Sequence, residues 1–158
     1  MKRTLVVAAL ALTALLARPW PAAADVTFFL GTNPTPDYRM TRGISAGINM
    51  LVVGFEFDYS YTNGNEEAGI PKLQTGMMNV LVMTPTKTQV YFTAGAGGFR
   101  EATGTVSETN WGTNLGGGVK FSILGPLQLR LDYRVFALRG EVRYKNPQRF
   151  YAGVTIPF

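Results

Sequence analysis

The sequence predicts an all-β protein, and more specifically an eight-stranded antiparallel up-and-down transmembrane β-barrel. Three observations lead to this prediction. Eight segments alternate between apolar residues and polar or small residues, which is the side-chain pattern of a β-strand with two unlike faces. The charged residues of these segments lie opposite the apolar face. A short apolar run near the N-terminus is typical of an exported chain.

Residues 1–24 are predicted to form a cleaved signal peptide, which leaves residues 25–158 as a single outer-membrane β-barrel domain. Lys2 and Arg3 give a basic start, residues 5–17 are largely apolar, and alanines at 22–24 supply the small residues of a cleavage site. The apolar run is shorter than the ~20 residues that span a bilayer as a helix. Cleavage lowers the formal net charge from +5 to +2, so the basic composition is no argument for nucleic-acid binding.

The chain contains no cysteine and no histidine. It therefore lacks a disulfide framework, thiolate metal ligands, and the commonest general base and metal ligand. We expect no enzyme activity, no catalytic residue, no metal and no cofactor. Glu56 and Asp58 share one strand face, and such a carboxylate pair can act in glycoside hydrolysis. A charged barrel interior explains the pair better, because no sugar-binding cleft is visible.

The predicted strands differ in how clearly they alternate. The third is the clearest, with Phe55 and Phe57 on one face and Glu56 and Asp58 on the other. The fourth is the weakest, because apolar residues also occur at 77 and 81 on its otherwise polar face. The eight predicted strands are residues 26–31, 42–49, 52–62, 73–83, 89–99, 110–121, 127–136 and 149–158.

Charge placement predicts which face of the sheet is inside. In water the apolar face would form a core, whereas in lipid it turns outward and the polar face lines a closed barrel. The apolar faces carry almost no charge, which favours the lipid arrangement. We therefore predict an interior network of ion pairs and hydrogen bonds that fills a narrow lumen. Its members are Glu56, Asp58, Lys120, Arg130, Asp132, Arg134 and Arg149.

Glycines on the polar faces are also consistent with a narrow barrel. A solvent-facing strand gains nothing from glycine, whereas a lumen uses the space for long side chains from neighbouring strands. If the sixth and seventh strands form a hairpin centred on Leu124, Gly118 lies opposite Arg130 and Gly116 lies opposite Asp132.

Large aromatic residues near the strand ends predict two membrane interfaces. Tyr59, Tyr61 and Trp111 lie near the longer connections, and Phe121 lies near the short ones. Two such aromatic girdles are typical of membrane barrels. The longer connections are predicted at residues 32–38, 63–72, 100–109 and 138–148.

The mature chain resembles small eight-stranded outer-membrane barrels of Gram-negative bacteria, such as the OmpA transmembrane domain, OmpX and the opacity-type proteins. Its last strand is similar to the assembly signal of that class, carried here by Tyr151, Gly153, Ile156 and Phe158. The resemblance implies that the barrel-insertion machinery reads this strand. Pro157 departs from the pattern because it cannot donate a ladder hydrogen bond. Barrel enzymes of the outer membrane use a histidine, which this chain lacks.

The leading interpretation is a non-enzymatic, porin-like integral protein of the bacterial cell envelope with a structural, surface-display or adhesion role. Its expected partners are outer-membrane lipids, lipopolysaccharide and the barrel-assembly machinery, with no nucleic acid. One alternative is a narrow channel for ions or small solutes. A second is a soluble periplasmic lipid-binding barrel, in which the faces are reversed and Val53, Phe55, Phe57 and Tyr59 line a cavity.

Overall fold

The computed structural model describes residues 22–65, 67–103 and 106–158 and is built from eight β-strands. All eight correspond to predicted strands, although several begin earlier or end later than the alternation suggests. The strands are β1 (Ala23–Asn33), β2 (Arg39–Met50), β3 (Val53–Thr62), β4 (Lys72–Met83), β5 (Gln89–Thr103), β6 (Val106–Leu124), β7 (Leu127–Leu138) and β8 (Gln148–Pro157).

Each strand pairs antiparallel with its neighbours in sequence, and β1 pairs with β8 to close the sheet. At the closure, the backbone amide of Phe158 donates to the carbonyl of Ala24 at 2.9 Å, and Ala24 N–H returns a bond to Phe158 at 3.2 Å. Closure removes the unpaired strand edges that would be costly in lipid. The predicted fold class is therefore confirmed.

No helix among the described residues is long and apolar enough to cross a bilayer.

The apolar faces of the strands point away from the barrel axis. Phe57 is 48% exposed on the outside, whereas its neighbours Glu56 and Asp58 are buried inside. The same alternation holds along β8, where Arg149 and Tyr151 point inward and Phe150 points outward. The reversed arrangement, with Val53, Phe55, Phe57 and Tyr59 lining a cavity, is wrong because these side chains are on the outer surface.

The register of the β6–β7 hairpin differs from the expectation by two residues. Gly118 lies opposite Asp132 and Gly116 lies opposite Arg134, rather than opposite Arg130 and Asp132. The hairpin turns at Gly125, which adopts a left-handed φ of 55°, and not at Leu124. A bulge between Ser122 and Leu124 also shifts the pairing next to the turn.

The connection between β5 and β6 is much shorter than predicted. Both strands continue past residue 99, and Thr103 pairs with Val106, so the expected loop at 100–109 is mostly a paired ribbon. The connections after β3 and β7, at residues 63–71 and 139–147, are the longest. We refer to the end that carries these two connections as the long-loop end, and to the opposite end as the short-turn end.

The predicted cleavage site lies at the start of the first strand. β1 begins at Ala23, so cleavage after Ala24 would remove two residues from it. Most of the predicted signal peptide, residues 1–21, lies outside the described residues. The signal peptide and the domain boundary at residue 25 stay predictions.

Candidate functional site: the charged interior of the barrel

Eight charged side chains converge inside the middle and the short-turn end of the barrel. Seven are the predicted ones, and the eighth is Asp25 at the start of β1. Four are acidic and four are basic, so the formal charges cancel. Every one is buried: Asp25, Glu56, Asp58, Lys120, Arg130, Asp132, Arg134 and Arg149.

Glu56 of β3 is the central acceptor of this network. The guanidinium groups of Arg130 and Arg134 on β7 both donate to its carboxylate, with a distance of 2.8 Å from Arg134 Nη2. The hydroxyl of Ser45 donates to the same carboxylate at 3.1 Å. Arg130 and Arg134 are completely buried, and a buried charge is tolerated only when such partners are present.

Asp132 lies between these two arginines on β7. It accepts from Arg134 Nε at 2.9 Å and from Arg130 Nη2 at 3.1 Å. The hydroxyl of Tyr91 on β5 donates to it at 2.5 Å and accepts a bond from Arg130 Nε at 2.7 Å. Tyr91 thus links the β7 charges to β5, two strands away in the barrel wall.

Asp58 and Arg149 form a second, bidentate ion pair across the lumen. Arg149 Nη1 and Nη2 donate to the two carboxylate oxygens at 2.9 and 2.8 Å. Arg149 Nη1 also donates to the hydroxyl of Ser60 at 2.8 Å. Arg134 Nη1 lies 3.7 Å from Asp58 and connects this pair to the Glu56 cluster.

The remaining pair lies at the short-turn end. Lys120 Nζ donates to Asp25 Oδ2 at 2.6 Å, and the side-chain amide of Asn49 donates to the same oxygen at 2.8 Å. Asp25 is not among the predicted interior residues because it adjoins the predicted cleavage site. Asp25 lies on the same strand face as Thr27 and Phe29, which point inward, and this alternation could have placed it inside.

Aromatic rings stack against the buried arginines. Arg130 lies 4.8 Å above the ring of Tyr91, and Arg149 lies 5.0 Å above that of Phe29. Tyr151 stacks on Phe29 at 4.1 Å and faces both arginines. These contacts hold the cations by cation–π attraction where water is excluded.

Apolar side chains pack inside the lumen beside the charges. Leu73, Met77, Phe99, Phe136 and Leu138 pack together towards the long-loop end. Leu81, Met83 and Tyr91 pack together towards the short-turn end. The apolar residues at 77 and 81, which weakened the prediction of β4, therefore face inward as the pattern requires but contribute to these packed layers.

Glycine provides the space for the long side chains. A Cβ atom at Gly118 would lie 2.1 Å from the carbonyl oxygen of Leu131 and 2.5 Å from the hydroxyl of Tyr91. One at Gly116 would lie 2.2 Å from the carbonyl oxygen of Tyr133 and 2.8 Å from Arg134 Cγ. All four distances are well inside van der Waals contact, so these two positions accept only glycine without movement.

The other predicted residues occupy the terminal strand and the outer surface. Tyr151 and Gly153 point into the barrel, whereas Ile156 and Phe158 are exposed outside. The predicted interface aromatics lie on the outward faces of β3 and β6, where Tyr59 and Trp111 are exposed and Tyr61 and Phe121 are half-buried.

Two arginines tie the connections together at the long-loop end. Arg39 donates to the carbonyl of Pro71 at 2.8 Å and to that of Thr35 at 2.7 Å. Arg143 donates to the carbonyl of Gly69 at 2.6 Å, and its backbone amide donates to Glu101.

Within the described part of the chain, no group of three or more histidine, cysteine, aspartate or glutamate residues is arranged to hold a metal ion. The interior carboxylates are instead occupied by arginine, lysine, tyrosine and serine donors.

This geometry defines a class: a transmembrane-type β-barrel with an apolar exterior and a packed interior that holds a charge-balanced network. No protein-family model matches the chain. A comparison with curated proteins also finds no match.

Solved structures share the fold at low sequence identity. The N-terminal β-barrel domain of Pseudomonas aeruginosa OprF is 14% identical, covers 86% of this chain and 97% of its own, and superposes with a TM-score of 0.66. Neisserial surface protein A is 20% identical over 87% of this chain and 96% of its own, with a TM-score of 0.64. The outer membrane enzyme PagL is 14% identical, covers 85% of this chain and 99% of its own, and superposes with a TM-score of 0.56. The predicted resemblance to eight-stranded outer-membrane barrels is confirmed at the level of the fold.

Proposed function

We propose that this chain is a non-enzymatic integral outer-membrane protein whose closed barrel has a structural, surface-display or adhesion role. The observation that carries the proposal is the inverted distribution of side chains. Ionic groups are buried and paired inside, while large apolar side chains cover the outside. Monomeric soluble proteins rarely expose a continuous apolar surface of this kind, whereas lipid accommodates it without cost.

The export pattern of the N-terminus supports the outer membrane as the location. An even number of strands places both ends of the barrel on one side, together with the short turns. In this arrangement the short-turn end faces the periplasm and the long-loop end faces outward. Arg39 and Arg143 hold the outer connections against one another, which supports a defined external surface for display or adhesion.

Two features support a role without catalysis. The chain contains no histidine or cysteine, and the interior carboxylates are each engaged by a buried cation. A carboxylate held by two guanidinium groups is a poor base, because protonation would break its ion pairs. The likeness to PagL is one of fold and carries no activity to this chain.

The alternative function is a narrow channel for ions or small solutes. The packed apolar clusters and the buried ion pairs argue against it, because eight strands enclose an interior that side chains about fill. Planar-bilayer recording separates the two functions. We expect at most rare, small openings from the purified protein, and sustained conductance would replace the closed barrel with the channel.

Cell fractionation tests the location. The protein is expected in the outer-membrane fraction, resistant to extraction without detergent, and to migrate differently on gels before and after boiling. Recovery in the periplasmic wash without detergent would contradict the proposal.

A further inference from the structure

The outer wall of the barrel carries a groove that crosses four strands. Phe28 and Leu30 of β1, Ala152 and Val154 of β8, and Leu129 of β7 line it, together with Arg42 of β2. The groove has a volume of about 570 Å³. Ala152 leaves this space because it is a small residue between Phe150 and Val154 on the outward face of β8.

Arg42 is an unusual residue for this surface. It is exposed on the outward face of β2, where the neighbouring outward residues Met40 and Ile44 are apolar. Its guanidinium lies 5.3 Å from the ring centre of Tyr61, one of the predicted interface aromatics. Among the described residues it forms no ion pair with a carboxylate.

The charges of the outward face all have the same sign. On the described strands these charged residues are Arg42, Lys72 and Arg100, and each is near the long-loop end. Arg139, directly after β7, adds a fourth cation beside Trp111 at 5.5 Å. Glu108 on β6 is exposed, but it has the parity of the inward residues Gly112 and Asn114 and not that of the outward Trp111. The positive charge of the outer wall is therefore confined to the long-loop end, where it is complementary to negatively charged lipid headgroups.

We propose that the groove binds one phosphorylated glycolipid of the outer leaflet, with a lipid phosphate on Arg42 and an acyl chain between Leu30 and Val154. The planar guanidinium is suited to bidentate phosphate recognition. The apolar lining suits an acyl chain and offers nothing to a free phosphate. This inference rests on the proposed function, because it requires the barrel to be inserted with its long-loop end outward.

Native mass spectrometry of the detergent-solubilised barrel tests the proposal, with purified lipid A and with the same lipid after enzymatic removal of its phosphates. We expect the wild type to retain one lipid A molecule. Arg42→Gln and loss of the phosphates should each weaken binding by about tenfold, the effect of losing one charge-assisted hydrogen-bond pair. Arg100→Gln is the matched control, because Arg100 is an outward cation outside the groove, and it should change binding less than twofold.

A second pair of variants tests the acyl-chain part of the site. Ala152→Phe fills the groove and should also weaken lipid A binding by about tenfold. Ala94→Phe adds the same bulk on the outward face of β5, where Ala94 pairs with Val80 and Leu115, and should leave binding unchanged. The proposal would be overturned if Arg42→Gln and Ala152→Phe retained lipid A as well as the wild type. It would also be overturned if the wild type retained the dephosphorylated lipid or phosphatidylglycerol as well as lipid A.

Heat-modifiable gel mobility of the same samples separates the two hypotheses. If the variants are folded, lie in the outer-membrane fraction and bind lipid A as well as the wild type, only the proposed lipid site in the groove is contradicted. Wild-type protein that fails to enter the membrane contradicts the proposed function itself.

Discussion

Arg149 on β8 and Asp58 on β3 form a bidentate ion pair, 2.9 and 2.8 Å long, between residues that are 91 positions apart in sequence. The pair joins opposite parts of the barrel wall through the lumen. Because both side chains are buried, neither charge has water as an alternative partner. The stability of the barrel should therefore depend on the pair as a unit.

Breaking this pair on one side should destabilise the barrel strongly. We expect Arg149→Gln to lower the free energy of unfolding by about 3–5 kcal/mol, because Asp58 then keeps only the more distant Arg134. Urea unfolding in lipid vesicles, followed by tryptophan fluorescence, measures the change. The double variant Asp58→Asn/Arg149→Gln should recover part of the loss. If the single variant is no less stable than the exposed control Arg100→Gln, the interior network has little energetic importance.

The inward glycines should tolerate no side chain. Gly118→Ala should lower the free energy of unfolding by about 1–3 kcal/mol, because its methyl group overlaps Leu131 and Tyr91. Gly98→Ala is a suitable control, since a Cβ there comes no closer than 3.9 Å to a neighbour. Similar unfolding curves for the two variants would argue against a lumen packed by side chains.

A charge on the outer face should be costly only within the bilayer. Phe57→Arg places a guanidinium in the middle of the apolar surface of β3 and should cost about 2–4 kcal/mol. Thr109→Arg, exposed near the long-loop end of β6 and on the same face as the outward Trp111, should cost about 0–1 kcal/mol. Unfolding of both variants in vesicles measures the difference. Equal costs would mean that Phe57 does not face lipid.

The predicted assembly signal should affect insertion in cells more than stability. Phe158 is exposed and its side chain belongs to neither interior cluster, so Phe158→Ala should leave unfolding in vesicles within about 0.5 kcal/mol of the wild type. The amount of folded protein in the outer membrane should fall several-fold. Ile123→Ala, an exposed apolar residue before the β6–β7 turn, serves as the control. Unchanged assembly of Phe158→Ala would contradict the role implied by the resemblance.

The sequence predicts the fold well because the alternation of inward and outward side chains along a strand is a local property. In β3, every second residue from Val53 to Tyr61 points outward, as the alternation alone indicates. The fourth strand appeared ambiguous only because Met77 and Leu81 face a lumen that is partly apolar. A pattern of apolar and polar residues cannot distinguish an apolar layer inside a barrel from one outside it.

Pairings between strands were less predictable. The position of Gly118 opposite Asp132 depends on a bulge at Ser122 and a turn at Gly125, and each moves the register by individual residues. Contacts across the lumen, such as Lys120 with Asp25 and Tyr91 with Asp132, depend on how the closed sheet staggers its strands. No single strand contains that information, so seven of the eight charged members could be predicted from the sequence, whereas Asp25 and the pairings across the lumen could not.

Single-cysteine spin labelling along β3 tests the central claim most directly, and the chain has no native cysteine to interfere. Labels at Phe55, Phe57 and Tyr59 should be relaxed by oxygen dissolved in the bilayer and protected from a water-soluble nickel complex. A label at Ser60, which faces the lumen, should be immobile and inaccessible to both reagents. Labels at Phe55, Phe57 and Tyr59 that are shielded from lipid, with Ser60 open to the water-soluble reagent, would contradict the inverted barrel.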